Sequence, residues 1–195
     1  EMYQVCKMAS LFIMLFATPL FIEIDEVLLL WLKNPPQYAA GLCVLALVVL
    51  IGDRSSLGFA IAMHATGDIA KYQVVVGGVY LLALPLAWLF FARGMSVYAL
   101  GYAMIISRGA CAFMRMIMAR KKTGLSTRHW LIQIAVPLFM VMSITSVIGA
   151  LPRFFMPNPS FVRIIITTVL CVVTLISVSW LFVLDKAERD FAVEK

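Results

Sequence analysis

Long apolar runs without a charged residue are the main feature of the pattern of hydrophobic and polar positions along this chain. Three such runs, at 72–92, 130–151 and 164–184, each contain about twenty residues. At 1.5 Å of rise per residue, a helix of that length crosses a hydrocarbon core of roughly 30 Å. Each of the three runs therefore predicts one transmembrane helix.

Three further stretches have the length of a span but contain or adjoin charged residues. They are 8–25, 38–66 and 95–119. The first is interrupted by Glu23, Asp25 and Glu26, for which we expect an interfacial turn before the short apolar stretch 27–32. Counting all of them predicts an all-α, polytopic integral membrane bundle of six transmembrane helices. No β-sheet is expected, because an open sheet edge in lipid leaves backbone groups without hydrogen bonds.

Composition excludes a water-soluble domain. The chain is 63% hydrophobic and 13% charged, whereas a soluble domain has about 25% charged and 45–50% apolar residues. The four cysteines are widely spaced and three lie in apolar stretches, so neither a metal site nor a disulfide framework is indicated. We expect them to be small packing residues, and no cofactor is implied.

The basic residues predict the orientation of the helices, because Lys and Arg collect in short cytoplasmic loops. Alternating loops place four on one side: Lys33, Arg93, Arg153 and Arg163. The other side receives ten: Lys7, Lys71, Arg115, Arg120, Lys121, Lys122, Arg128, Lys186, Arg189 and Lys195. Both termini are therefore predicted to be cytoplasmic. The net charge of +6 is mostly a topology signal, and no basic stripe interleaved with aromatics indicates a nucleic-acid partner.

Four short segments follow one another in order within residues 8–125. They are Leu28–Leu32, Pro36–Tyr38, Ala62–Gly67 and Lys71–Gln73. Their order and spacing resemble the polysaccharide and O-antigen (lipopolysaccharide) flippases of the multidrug/oligosaccharidyl-lipid/polysaccharide exporter superfamily, and the second lobe of those proteins most of all.

The resemblance implies a transporter of two six-helix bundles that face each other across a central cavity in the bacterial inner membrane. Such proteins move lipid-linked oligosaccharides of the polyprenyl-pyrophosphate type from the inner to the outer leaflet by alternating access. Residues 1–195 would form the C-terminal lobe, with an N-terminal lobe and membrane lipids as partners. A chain that begins with Glu1 rather than Met also fits a piece of a longer protein.

Three charged residues near the middle of predicted spans are the candidate substrate-binding residues: Asp53, Arg54 and Arg108. A charge at the bilayer centre costs about 2.5–3.5 kcal/mol, so each must face protein or a wet cavity. In one interpretation Asp53 pairs with Arg108 as buried structural support. In the other, Arg54 and Arg108 bind a lipid pyrophosphate, because a guanidinium can hold phosphate oxygens with two hydrogen bonds. The poor helix formers of 52–56 predict a break or kink beside them.

Smaller features also predict structure. A line of small residues, four apart, predicts close helix packing in the fourth span; it is Ala99, Ala103, Ser107 and Cys111. Pro85 and Pro137 predict kinks within their spans. His64, near the end of the second span, is interpreted as an interfacial residue rather than a proton carrier.

Two other function classes are alternatives for such a chain. In an ion-coupled multidrug exporter of the same superfamily, Asp53 would be a protonatable coupling residue, but two arginines beside one acid argue against cationic substrates. A membrane-embedded transferase is disfavoured because the chain has two histidines, no carboxylate pair near either, no phosphate-binding glycine loop and no nucleophile motif. We therefore expect a transporter and not an enzyme.

Overall fold

The computed structural model describes residues 2–67, 69–124, 126–156, 158 and 160–183. These residues form helices joined by short connections, and no strand occurs among them. In chain order the helices are α1 (Met2–Leu32), α2 (Ala39–Ser55), α3 (Leu57–Ala65), α4 (Ile69–Leu81), α5 (Ala83–Ala92), α6 (Ala99–Thr123), α7 (Thr127–Trp130), α8 (Val136–Gly149), α9 (Leu151–Phe155) and α10 (Phe161–Phe182). A π-helical segment, Leu131–Ala135, joins α7 to α8.

Five helical units are long and apolar enough to cross a membrane. They are Met2–Leu32, Ile69–Ala92, Ala99–Thr123, Thr127–Phe155 and Phe161–Phe182. A sixth span results if α2 and α3, which meet at a 43° bend, are one broken helix. The predicted all-α polytopic bundle is confirmed, by length and composition, in the described part of the chain. Each predicted span overlaps one of these units, and Leu184, the last residue predicted for the sixth, lies outside the described residues.

The acidic residues that interrupt the first predicted span form a kink within α1 and not a connecting turn, so that prediction holds only for the position of the interruption. Helix α1 continues through them to Leu32, and Glu23 departs from helical geometry with φ −108° and ψ 23°. The side chain of Glu23 is only 1% exposed. It has ion-pair partners inside the bundle, described below, and so has no need to reach interfacial water.

Breaks in three other spans follow from local sequence. Helix α2 ends at Ser55 and α3 begins at Leu57, which confirms the predicted break within 52–56. Helix α4 gives way to α5 at Leu82, because Pro85 has no N–H and its ring crowds the carbonyl four residues earlier. In the same way Pro137 cannot donate to residue 133, and a wider π-helical turn occupies that position.

Helix α6 is the centre of one half of the bundle and contacts α2, α3, α4 and α5, whereas α1 contacts α2, α3, α8 and α10. The predicted small-residue line of α6 is buried from Ala99 to Cys111. It allows the backbone of α4 to approach so closely that Ser107 Oγ donates to the carbonyl of Val79 at 2.8 Å. The predicted packing role of this line is therefore confirmed.

Close helix approach at Gly149 generates a stability prediction. A Cβ atom there would overlap the Sγ atom of Cys171 on α10 and lie 2.7 Å from Cδ1 of Ile22 on α1. We expect Gly149→Val to lower the free energy of unfolding by about 1–3 kcal/mol, as overpacked cores do. Gly78→Val is the matched control, because a Cβ at Gly78 meets nothing within 4 Å. Thermal unfolding of the detergent-purified proteins measures both, and equal losses would contradict the packing argument.

Candidate functional site

Four side chains from three spans form what we name the central ionic cluster: Asp53, Tyr80, Arg108 and Arg115. Asp53 lies in the last turn of α2. Arg108 and Arg115 are seven residues apart on α6 and so project from one face of that helix. Arg115 Nη1 donates to Asp53 Oδ1 at 2.8 Å, and Arg108 Nη1 donates to Asp53 Oδ2 at 3.4 Å. Each carboxylate oxygen thus accepts from one arginine.

Tyr80 of α4 connects the third span to this cluster. Its hydroxyl accepts a hydrogen bond from Arg115 Nη2. The guanidinium carbon of Arg108 lies 4.3 Å from the centroid of the Tyr80 ring, a cation–π geometry. Both arginines therefore have a partner on α2 and a partner on α4.

The two arginines differ in exposure. The Arg115 side chain is 7% exposed, whereas that of Arg108 is 36% exposed and that of Asp53 21%. Arg115 also donates from Nη1 to Ser56 Oγ at 3.2 Å. Arg115 is thus a buried residue that holds α2 to α6, while Arg108 is partly exposed.

Arg108 and Asp53 border a groove of about 220 Å³ between α2 and α6, which we name the α2–α6 groove. Its other walls are Val48, Val49 and Gly52 on α2 and Ile105, Gly109 and Ala112 on α6. At 1.5 Å per residue, Arg108 lies about 14 Å from the start of α6 and about 22 Å from its end. The charged side chains therefore line this groove well inside a membrane span.

Arg54 is not part of the central ionic cluster. Adjacent helical residues point about 100° apart, so Arg54 projects away from Asp53. Arg54 is partly buried, and its Nε atom has no hydrogen-bond partner in the described part of the chain. The structure thus brings two of the three predicted site residues, Asp53 and Arg108, together and leaves Arg54 apart from them.

Arg115 lies inside the predicted span 95–119, near its end, and was counted with the basic residues of the cytoplasmic side. Helix α6 continues to Thr123, so Arg115 lies within the helix and is buried. Arg115 can be buried there because its charge is paired with that of Asp53. The seven-residue spacing from Arg108 was a signal that could have placed both arginines on one face.

A second group of charged residues lies where α1, α9 and α10 meet, and we name it the Glu23 cluster. Arg163 Nη2 donates to Glu23 Oε2 and lies equally close to Glu26 Oε1, both at 2.9 Å. Thr167 Oγ1 donates to Glu23 Oε1 at 3.1 Å, and Arg153 Nε lies 3.8 Å from the same oxygen.

The central pair of the Glu23 cluster, Glu23 and Arg163, is a buried structural element, while Arg153 at the edge of the cluster is 41% exposed. The two acids and two arginines of the cluster balance in charge, and the side chains of Glu23 and Arg163 are 1% and 4% exposed. Sequence reasoning missed it, because a run of acids beside an apolar stretch is typical of a membrane interface. The spacing of Arg163 and Thr167, one helical turn apart on α10, was the available signal.

No protein-family model, curated protein or solved structure matches this chain significantly. The resemblance to polysaccharide flippases therefore stays a prediction from the sequence. Among the described residues, no group of three or more His, Cys, Asp or Glu side chains could hold a metal ion.

The burial of the Glu23 cluster predicts a large stability effect. Glu23→Gln removes the more deeply buried of the two carboxylates that contact the Arg163 guanidinium, and we expect a loss of up to about 3–5 kcal/mol in the free energy of unfolding. Glu26→Gln is the matched control, with a smaller loss expected because the Glu26 side chain is more exposed, at 17%.

Thermal unfolding of the purified variants measures both effects. The double variant Glu23→Leu with Arg163→Met should recover part of the loss, because it removes both fully buried charges, and Glu26 and Arg153, which lose these partners, are partly exposed. A Glu23→Gln protein as stable as the parent would contradict the assignment of this cluster as structural.

Proposed function

We propose that this chain is one lobe of a membrane transporter that flips lipid-linked oligosaccharide or polysaccharide precursors across the bacterial inner membrane by alternating access. The observation that carries the proposal is the α2–α6 groove, which exposes Arg108 and Asp53 well inside a membrane span. An exposed guanidinium at that depth is too costly to face lipid, so this face of the bundle borders water or another protein.

The charge of the central ionic cluster supports an anionic substrate. One carboxylate lies between two guanidinium groups, which leaves one positive charge in excess. A guanidinium has five N–H donors, and Asp53 engages only one donor of Arg108 in the described part of the chain. The remaining donors suit the oxygens of a pyrophosphate, which arginine binds in a fixed, often bidentate geometry.

In this proposal an N-terminal lobe forms the opposite wall of the cavity, and membrane lipids surround the apolar remainder of the bundle. The same excess of positive charge disfavours the alternative, an ion-coupled multidrug exporter with cationic substrates. Arg54 lies apart from the cluster. It would contribute at a different stage of transport, or only to the positive electrostatic potential of the cavity.

Matched arginine variants test the proposal in the full-length protein, expressed in its host with the chromosomal copy deleted. We expect Arg108→Gln to abolish surface delivery of the glycan at nearly unchanged protein abundance, because a partly exposed side chain contributes little to folding. Arg115→Gln should instead lower abundance, since it removes the internal hydrogen bonds of Arg115 to Asp53, Ser56 and Tyr80, and a bond to a charged group contributes about 1.5–3 kcal/mol.

Surface glycan and membrane abundance are measured side by side, for Arg54→Gln as well. Stable and fully active variants at both Arg54 and Arg108 would refute the pyrophosphate site. A double replacement of Asp53 and Arg108 by apolar residues should stay inactive even where it is stable.

The proposed orientation has both termini in the cytoplasm. Lys7, Arg115 and Arg163 are buried within helices and therefore no longer count as loop charges. The segment from Arg120 to Arg128 still carries four basic residues, whereas Lys186, Arg189 and Lys195 lie outside the described residues. The asymmetry of loop charge therefore still favours a cytoplasmic position for this segment.

Cysteine labelling tests this orientation in intact cells. We expect Asn34→Cys to react with a membrane-impermeant maleimide from outside, and Lys121→Cys to react only after the membrane is permeabilised. Both positions are exposed, and Cys43→Ser removes the one native thiol that is not buried. Labelling of Lys121→Cys in intact cells, with Asn34→Cys protected, would reverse the topology.

A further inference from the structure

The break between α2 and α3 leaves backbone groups that a continuous helix would pair. In a continuous helix the amide of Phe59 would donate to the carbonyl of Ser55, but here it donates to the carbonyl of Ser56 at 3.2 Å. The Ser55 carbonyl is thereby freed, and so is the amide of Gly58, whose helical acceptor would lie four residues earlier. Such groups are tolerated at membrane depth only where protein or water satisfies them.

Each freed group has a partner on a different span. The amide of Gly58 donates to Cys6 Sγ of α1 at 3.2 Å. The Ser55 carbonyl accepts from the indole Nε1 of Trp130, on α7, at 2.9 Å. Ser56, fully buried in the break, accepts from Arg115 of α6. Three neighbouring helices thus hold the break from three sides.

Trp130 is the contact that links this break to the segment between the fourth and fifth spans. It ends α7 and directly precedes the π-helical segment. Its ring meets that of Phe59 in an edge-on contact, with centroids 6.0 Å apart. The start of α7 is fixed in turn, because Ser126 Oγ accepts from the amide of His129 and the Ser126 carbonyl accepts from the hydroxyl of Tyr3.

Other carbonyls at the end of α2 have local donors. Ser55 Oγ donates to the carbonyl of Gly52 at 2.8 Å, and Ser56 Oγ donates to that of Asp53 at 3.1 Å. The Ser55 carbonyl differs, since its donor comes from a span 75 residues later in the chain. It lies two residues from Asp53 and three from Gly52, both of which line the α2–α6 groove.

We propose that Trp130 is a positioning residue for the α2–α6 groove. Its hydrogen bond to the Ser55 carbonyl fixes the last turn of α2 and with it the place of Asp53 opposite Arg108. A displacement of α7 is then transmitted to the groove through this hydrogen bond and the contact between the Trp130 and Phe59 rings. That the groove binds substrate rests on the proposed function, whereas the positioning by Trp130 does not.

The test measures how fast a cysteine in the groove reacts with a maleimide, in membranes containing the full-length protein with Cys43→Ser. The reporter is Gly52→Cys, at an exposed wall position where a Cβ meets no atom within 4 Å. Gly78→Cys, exposed and equally uncrowded on α4, reports general loosening away from the groove. Trp130→Phe keeps an aromatic ring but removes the N–H donor together with the pyrrole part of the indole, so Gly78→Cys also reports any loosening that the lost volume causes.

We expect Trp130→Phe to change the reaction rate of Gly52→Cys by about fivefold, the factor that one lost buried hydrogen bond produces in an equilibrium, and to leave Gly78→Cys unchanged. Trp88→Phe is the matched control, since Trp88 is an exposed tryptophan on α5, and it should change neither rate.

Unchanged rates at both reporters, or parallel increases at both, would overturn the proposal, because the second result indicates general unfolding. Transport activity is not needed for this measurement. The labelling rates test the positioning role of Trp130, and glycan transport by Arg108→Gln tests the proposed function. Because the two measurements are independent, either proposal can fail while the other holds.

Discussion

The ion pairs of the Asp53 carboxylate with two arginines are the interaction on which the packing of α2, α4 and α6 depends. The two oxygens of the carboxylate are held by Arg108 and Arg115, and Tyr80 joins both arginines to α4. An ion in a low-dielectric interior is tolerated only with such partners, because its desolvation is not otherwise offset. The same carboxylate therefore constrains how α6 is rotated against α2 and, through Tyr80, which face of α4 turns inward.

The two charged clusters differ in net charge and in exposure. In the Glu23 cluster two acids meet two arginines, and its central pair, Glu23 and Arg163, is fully enclosed. The central ionic cluster has one arginine more than it has acids, and its outward member, Arg108, borders a groove. The outer arginine of the Glu23 cluster, Arg153, is 41% exposed, but the balanced charges leave that cluster no net charge with which to attract an ionic ligand. An unbalanced cluster at a groove retains both a net charge and free donors.

The sequence was sufficient for the spans, since lengths and charge-free runs are local properties, and for the break within 52–56, which follows from poor helix formers. The pairing of Asp53 with Arg108 was one of the two interpretations that the sequence left open. The sequence did not reveal the pairing of Arg115 with Asp53 or the Glu23 cluster, because Arg115 was counted with the loop charges and the acids around Glu23 were interpreted as an interfacial turn. Whether such a charge is buried depends on its partner, and Glu23 finds its own 140 residues later.

Helix α6 provides a rigid reference within the bundle. It is unbroken over 25 residues, while the spans formed by α2 and α3, by α4 and α5, and by α7 to α9 are all interrupted. Arg108 and Arg115 are thereby held about 10 Å apart along the axis of α6. Under the proposed function, an anion at Arg108 competes with Asp53 for that guanidinium, while Arg115 keeps its own bond to the carboxylate. Substrate binding would then loosen α2 on the side of the groove, while the bond of Arg115 to Asp53 keeps α2 attached to α6. The break at Ser56 is the point at which such a movement of α2 would end.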